Sequence, residues 1–144
     1  MKIEAPKILD GRTIITGKGY QRSVEQNLAT IYIGIHNGSR YLDSLLGQIQ
    51  SQTVQNFPLI IVDNFSSDES WSQILEWPTE LLERAKLIRN PINLGGTGSF
   101  ALNFSEVETD WFITLHQDDT YMENHVEVLL RAIATSSTED IVFF

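Results

Sequence analysis

The chain has 144 residues, of which 42% are apolar and 10% aromatic, enough for one buried core and too few for several ordinary domains. Ten basic against nineteen acidic side chains give a net charge of −9. Because no basic cluster offsets that charge, we expect no nucleic-acid partner. The sequence contains no cysteine, no basic leader followed by an apolar stretch, and no apolar run of membrane-spanning length. We therefore predict a cytoplasmic protein, either free or peripheral to the membrane.

The N-terminal segment differs in its residue pattern from the rest of the chain. Residues 1–28 mix charges, glycines and short apolar pairs without a sustained period of two or 3.6. We predict an N-terminal extension with one hairpin over this segment. The ordered domain is predicted over residues 29–144.

Strand and helix signals alternate from residue 29 onward. Short apolar runs predict strands at residues 31–35, 59–62, 86–89, 111–115 and 141–144. Apolar residues at helical spacing predict helices at residues 40–52, 71–75, 80–84, 100–107 and 122–133. This alternation predicts a three-layer α/β/α sandwich with a mostly parallel sheet, in which ligands bind at the carboxyl ends of the strands.

A pair of carboxylates follows the most apolar strand. Asp118 and Asp119 come directly after residues 111–115, at the edge where such sheets bind ligands. Magnesium and manganese ions prefer carboxylate and phosphate oxygens, which makes the pair candidate metal ligands. A solvated turn that caps the next helix is the alternative, and the pair alone does not decide between the two.

Polar residues also follow other predicted strands. Asp63 and Asn64 end the second strand, where they can bind a base or ribose, or form an Asx-turn. The loop at residues 93–99 contains glycines that permit close backbone approach, and the helix that it opens favours a diphosphate. An ordinary turn is the alternative there. His36 ends the first strand and can stack on a base or stand as a plain surface group.

Taken in order, these segments resemble the family 2 glycosyltransferases of GT-A fold. The resemblance rests on residues 31–42, 59–68, 89–95 and 112–119. Residues 59–68 are similar to a family strand that ends in aspartates, a glycine, serines and a final aspartate. Residues 112–119 resemble the strand that runs into the metal-binding Asp-x-Asp, and residues 95–100 are similar to a glycine-rich block of galactofuranosyl- and rhamnosyltransferases.

The resemblance implies an inverting, metal-assisted transfer from a nucleotide-diphosphate sugar, with UDP or dTDP favoured and Mn²⁺ or Mg²⁺ as cofactor. The implied acceptor is a carbohydrate or lipid-linked hydroxyl in glycan or cell-surface polysaccharide synthesis. Implied nucleotide-sugar contacts are Ile35, His36, Asp63, Asn64, Arg89, Asn93, Gly95, Gly96 and Asp118. Asp118 and Asp119 are implied to hold the metal.

The sequence departs from the family pattern at three site positions. His36 stands where a tyrosine is frequent, so base stacking would involve an imidazole. Asn64 stands where an aspartate often accepts from the base; an amide both donates and accepts, which leaves uracil, thymine and cytosine open. His116 occupies the first position of Asp-x-Asp, so we expect Asp118 to be the main metal ligand.

No carboxylate after Asp119 matches the family's catalytic base, which follows the metal motif together with the acceptor-binding half. We therefore expect a missing C-terminal half or a homo-oligomer to complete the site, because an uncovered apolar strand at residues 141–144 favours association. A non-catalytic module that binds a nucleotide sugar or a protein stays open as the alternative. A nucleotidyltransferase would carry a longer basic glycine-rich loop than residues 38–40.

Overall fold

The computed structural model describes residues 3–136, and the predicted strand at residues 141–144 lies outside them. The strands are β1 (Lys7–Leu9), β2 (Arg12–Thr16), β3 (Ala29–Ile35), β4 (Leu59–Asp63), β5 (Ala85–Arg89) and β6 (Trp111–His116). The helices are α1 (Tyr20–Glu25), α2 (Ser39–Gln50), α3 (Ser70–Leu75), α4 (Thr79–Glu83), α5 (Gly95–Asn103) and α6 (His125–Ala134). A short 3₁₀ turn, Phe104–Glu106, follows α5.

The strands form one six-stranded sheet in the order β1-β2-β5-β4-β3-β6. Strands β3, β4, β5 and β6 run parallel, which confirms the predicted mostly parallel sheet and brings their carboxyl ends to one edge. The predicted hairpin is also present: β1 and β2 pair antiparallel, and β2 pairs antiparallel with β5. Residues of the N-terminal extension therefore belong to the same sheet as the rest of the chain. The separate domain boundary at residue 28 stays a prediction.

Helices cover both sides of the sheet, which confirms the three-layer arrangement. Alternate side chains of β3 divide between the two sides, because successive residues of a strand point in opposite directions. Ile31, Ile33 and Ile35 pack with α2, α3 and α6 on one side, called here the apolar face. Tyr32 packs on the other side, with residues of α1 and with Phe100 of α5; we call this the pocket face.

Some helix boundaries differ from the prediction. The helix predicted over residues 122–133 begins at His125, and Met122 before it is 77% exposed. The helix predicted over residues 100–107 begins earlier, at Gly95, and ends at Asn103. In both regions the apolar spacing continues beyond the helix, so periodicity alone misplaces the ends. No helix in the described part of the chain is long and apolar enough to span a membrane.

Candidate functional site

A cavity of about 580 Å³ opens at the carboxyl ends of β3 and β6, beside the start of α5. Seven of the predicted nucleotide-sugar contacts line it: Ile35, His36, Asn64, Asn93, Gly95, Gly96 and Asp118. The cavity is also lined by residues that were not among the predicted contacts: Tyr32, Thr97, Ser99, Phe100, Thr114 and Gln117 belong to them, although residues 97–100 lie within the predicted glycine-rich segment. The fold therefore gathers segments far apart in the chain into one concave site.

His36 is half-buried and is oriented by its neighbours. Its Nδ1 lies 3.0 Å from the carbonyl oxygen of Asn64, and its Nε2 lies 3.2 Å from the amide nitrogen of Asn93. A carbonyl oxygen can only accept, and an amide nitrogen can only donate. The hydrogen bonds therefore fit the tautomer that carries its hydrogen on Nδ1. Such a ring offers a flat face to a base while both of its nitrogens remain engaged.

The side chain of Asn64 is fully used by the protein. Its Nδ2 donates to Asn93 Oδ1 at 2.9 Å and to the carbonyl oxygen of Gly95 at 3.2 Å. Its Oδ1 accepts from Asn90 Nδ2 and from the backbone amide of Leu94, both at 3.1 Å. Two donors and two acceptor positions are the whole capacity of an amide. In this structure Asn64 holds the loop before α5 against the end of β4.

Asp63 and Arg89 brace the turn that follows β4. Asp63 is completely buried, and its Oδ2 lies 3.2 Å from Arg89 Nε. The amide of Ser66 donates to the same carboxylate at 3.3 Å, while Arg89 donates to the carbonyl oxygen of Ser66 at 3.0 Å. Neither side chain lines the cavity. Direct contact of these two residues with a nucleotide stays a prediction, and the geometry gives them a supporting role.

Hydrogen bonds join the loop after β3 to the loop after β4. The amide of Asn37 donates to Ser66 Oγ, and the amide of Ser67 donates to Asn37 Oδ1, both at 2.9 Å. Asn37 has a left-handed backbone with φ of 46°, which asparagine tolerates because its side chain can bond nearby backbone groups. The two loops are thus fixed relative to each other at the rim of the cavity.

Asp68 adds a second connection between these loops. Its carboxylate accepts from the amide of Ser39 at 3.1 Å, and from the amide and hydroxyl of Ser70 at 3.0 and 2.5 Å. Partial burial raises the pKa of Asp68, but the hydrogen bonds from Ser70 and Ser39 outweigh it and lower the pKa to about 2. The charged carboxylate therefore ties the start of α2 to the start of α3.

Gln117 links the end of β6 to the end of β3. Its Oε1 accepts from the amide of His36 at 3.1 Å, and its Nε2 donates to the carbonyl oxygen of His36 at 3.2 Å. A Cβ atom at Gly38 would overlap Gln117 Oε1, so only glycine leaves room for this contact. The sequence analysis missed Gln117, and the available signal was its position between His116 and Asp118.

The two candidate metal ligands occupy different environments. Asp118 is exposed and lines the cavity. Asp119 Oδ2 instead lies 3.4 Å from the hydroxyl of Tyr121, and burial together with the Asp119 charge raises the pKa of Tyr121. Among the described residues no three His, Cys, Asp or Glu side chains are placed so that they could hold a metal ion together. One carboxylate facing the cavity suits a Mg²⁺ or Mn²⁺ ion that takes its other oxygens from water and phosphate.

At the start of α5 the amide of Leu94 donates to Asn64 Oδ1 at 3.1 Å and that of Gly95 donates to Asn93 Oδ1 at 2.8 Å, whereas no side-chain acceptor is described for the amides of Gly96 and Thr97. Gly95 has φ of 67°, and a Cβ atom at Gly95 or Gly96 would meet nothing within 4 Å. Gly95, Gly96 and Thr97 all line the cavity. Unpaired amides at a helix N-terminus, together with the helix dipole, favour an anion. This end of the cavity can therefore receive phosphate oxygens.

Comparisons with known proteins identify the family. Residues 30–143 match the profile of Glycosyl transferase family 2. An uncharacterized glycosyltransferase of Rickettsia prowazekii is 25% identical over 126 residues, covering 86% of this chain and 37% of the relative. The teichoic acid poly(glycerol phosphate) polymerase of Staphylococcus epidermidis is 31% identical over 123 residues, covering 78% of this chain and 17% of the relative.

Solved structures confirm the expected GT-A fold. TarS from S. aureus in complex with UDP matches with a TM-score of 0.65 at 18% identity, over 74% of this chain and 32% of that one. The TarS complex with UDP-GlcNAc matches with a TM-score of 0.62 at 21% identity, over 74% and 30%. The chain spans about a third of the length of relatives such as the Rickettsia protein. Because the family profile covers most of its residues, the chain belongs to glycosyl transferase family 2.

Proposed function

We propose that this chain forms the donor-binding part of a glycosyltransferase and binds a nucleotide-diphosphate sugar in the cavity between β3, β6 and α5. One observation carries the proposal: a ring, a glycine-rich helix start and an acidic side chain meet in the same cavity, as His36, Gly96 and Asp118. These groups are complementary to a base, a diphosphate and a metal ion. The TarS structures that contain UDP and UDP-GlcNAc support this choice of ligand class.

Each group has a part in the proposed binding mode. The base stacks on the imidazole of His36, whose hydrogen bonds to Asn64 and Asn93 keep the ring from turning. The diphosphate lies against the amides of Gly96 and Thr97 in the first turn of α5. Asp118 holds Mn²⁺ or Mg²⁺, and the bound ion neutralises charge that develops on the leaving diphosphate. UDP and dTDP are the favoured nucleotides, and the transfer is inverting.

The proposal also includes the acceptor and the catalytic base. Asp118 is the only carboxylate among the described residues that line the cavity, and a metal ligand is a poor candidate for the general base. We assign the base to a residue outside that lining, on this chain or on a partner. A carbohydrate or lipid-linked acceptor in polysaccharide synthesis is supported by the similarity to the teichoic acid polymerase.

Donor binding is tested by titrating the folded chain calorimetrically with UDP, dTDP, CDP and GDP, with and without Mn²⁺. We expect metal-dependent binding of UDP or dTDP. Absence of binding to any of these nucleotides would overturn the proposal. Binding without transfer to any glycan acceptor would instead favour a non-catalytic module, which the single cavity carboxylate also motivates.

Asp118 and Asp119 provide a matched pair of variants. We expect Asp118→Asn to lower the metal-dependent nucleotide affinity by about tenfold, because the ion loses a charged ligand that faces the cavity. Asp119→Asn should change it much less, since that carboxylate points toward Tyr121. Calorimetric titration with and without Mn²⁺ compares the two. Equal losses in both variants would show that the metal uses both side chains.

A further inference from the structure

A continuous line of side-chain hydrogen bonds connects His36 in the cavity to Arg12 on β2. The intermediate members are all asparagines: Asn93, Asn64, Asn90 and Asn103. We call this line the amide relay. It passes along the pocket face and ends in the N-terminal hairpin, which contributes no residue to the cavity lining.

The geometry of the relay is regular. Arg12 Nη1 donates to Asn103 Oδ1 at 3.0 Å, Asn103 Nδ2 donates to Asn90 Oδ1 at 3.0 Å, and Asn90 Nδ2 donates to Asn64 Oδ1 at 3.1 Å. Asn64 Nδ2 then donates to Asn93 Oδ1 at 2.9 Å. Every amide receives at its oxygen and donates from its nitrogen. The relay therefore has one direction along its whole length.

Arg12 and backbone groups agree on that direction. A guanidinium carries only donors, so the neighbouring Asn103 presents its oxygen to Arg12 and its NH₂ group to the next amide. Asn64 has the same orientation, because it also accepts from the Leu94 amide and donates to the Gly95 carbonyl oxygen. Reversing any one amide would place two donors or two acceptors in contact at both of its ends, and a buried mismatch of this kind is costly.

The cavity end of the relay agrees with this direction. Asn93 presents its NH₂ group to His36 Nε2, so that nitrogen must accept. Independently, His36 Nδ1 must donate, because its partner is the carbonyl oxygen of Asn64. Both ends therefore require the same His36 tautomer.

The relay is shielded from water over most of its length. Arg12 is 3% exposed, and Asn103, Asn90 and Asn64 are 0%, 1% and 5% exposed. In such surroundings a hydrogen-bonded chain is stronger than in water and its members polarise one another. Glu106 balances the Arg12 charge at 3.1 Å. The ion pair with Glu106 and the hydrogen bonds between the amides therefore hold the relay together.

Side branches of the relay fix α5 and the loop before it. The second hydrogen of Asn90 Nδ2 goes to Ser99 Oγ at 2.9 Å, and that of Asn103 Nδ2 goes to the carbonyl oxygen of Ser99 at 2.8 Å. Asn64 Nδ2 also donates to the carbonyl oxygen of Gly95 at 3.2 Å. The position of the glycine-rich turn therefore depends on the same amides that orient His36.

We propose that Arg12 is a positioning residue for the nucleotide cavity, acting through the amide relay on the start of α5 and on the loop before it. Only its effect on nucleotide affinity rests on the proposed function. Its effect on the loop is a property of the free protein. The N-terminal hairpin then contributes to the binding site through Arg12, although it does not contact the ligand.

The test variant is Arg12→Met, studied by NMR-detected hydrogen exchange of the free protein. In the variant we expect faster exchange of the Leu94 and Gly95 amides, which donate to side chains of the relay, and an unchanged His36 tautomer, because the Asn64 carbonyl fixes it. With Mg²⁺ present, the UDP affinity of the variant should fall about fivefold or more, the usual scale of coupling between sites.

Lys86→Met is the matched control. Lys86 is also a buried cation that pairs with Glu106, at 3.3 Å, but it makes no contact with the amide relay. We expect this variant to keep the wild-type exchange rates of the Leu94 and Gly95 amides and the wild-type UDP affinity. An equal change in both variants would overturn the proposal, because the effect would then come from loss of a buried charge.

Arg12→Lys and Asn103→Leu complete the experiment. Lysine keeps a buried donor and should restore much of the wild-type exchange rate, whereas leucine interrupts the relay while leaving the pair of Arg12 and Glu106 intact. If Arg12→Met does not fold, Asn103→Leu carries the test alone. A folded interrupted variant with unchanged exchange of the Leu94 and Gly95 amides overturns the proposal. Faster exchange in a protein that binds no nucleotide supports the relay and removes the proposed function.

Discussion

The two faces of the sheet are filled with different kinds of side chain. The apolar face buries leucines, isoleucines and aromatic residues of α2, α3 and α6, such as Leu45 and Ile49. The pocket face has a smaller apolar cluster, and next to it lie buried amides such as Asn90 and Asn103. Apolar packing is tolerant of rearrangement, whereas a hydrogen-bonded amide has one correct orientation. The apolar face therefore mainly supplies stability, and the pocket face mainly fixes the geometry of the site.

The largest effect is expected on the apolar face. Leu45 is fully buried on α2, and Leu45→Ala should lower the free energy of unfolding by about 2 to 5 kcal/mol through lost burial and a cavity. Urea unfolding measures the loss. The nucleotide affinity of the folded protein should stay within experimental error of the wild type. A large drop in affinity would show that the two faces are not independent.

A change on the pocket face should lower both the free energy of unfolding and the nucleotide affinity. Asn90→Leu keeps the branched shape but removes one of the hydrogen-bond partners of Asn64 and one of Asn103, which we expect to cost about 2 kcal/mol. Calorimetry should also show weaker binding of UDP, because Asn64, which holds the loop before α5, loses one of the bonds that orient it. If stability falls and affinity does not, the buried amides serve folding alone.

At the loop after β4, we expect a substitution that stabilises the protein. Phe65 has a left-handed backbone with φ of 60°, and its ring is 48% exposed. Phe65→Gly should raise the free energy of unfolding by about 1 kcal/mol, because the steric cost is removed and is only partly offset by the freedom of glycine in the unfolded chain. Urea unfolding tests this. A loss of stability would mean that the ring has a packing role.

The smallest expected effect concerns Asp68 and appears as a pH dependence. Its pKa of about 2 in the folded protein is below the ordinary value of about 3.9. The carboxylate therefore stabilises the fold fully above pH about 4, and this contribution is lost as the pH falls through about 2. Asp68→Asn should be slightly less stable than the wild type at neutral pH, and the difference should vanish in acid. A constant difference across that range would contradict the assignment.

The layers of the fold could be predicted from the sequence for a physical reason. Residues such as Ile31, Ile33 and Leu45 repeat at the periods of strands and helices, and burial of one face enforces those periods. The grouping of His36, Asn93 and Asp118 in one cavity also followed, since parallel strands bring their ends to one edge.

The relations between polar side chains could not be predicted in the same way. Asn90 and Asn103 look like ordinary polar residues in the sequence, and their partnership depends on how α5 packs on β5 and β2. Asn64 was expected at the base, but the structure engages all of its hydrogen-bonding capacity in the protein. Local spacing carries no information about such contacts, because the partners are distant along the chain. The role of Arg12 could not be predicted for the same reason, because its partner Asn103 is distant along the chain.

The contact between Gln117 and His36 affects where the backbone turns after β6. The backbone pairing of β3 with β6 ends at Gly34 and His116, and the amide of the Gln117 side chain then bonds both the N–H and the C=O of His36, as a further residue of the strand would. A side chain thus supplies the last rung of the ladder. The backbone is free to leave the sheet one residue early, and Asp118 faces the cavity instead of continuing the strand.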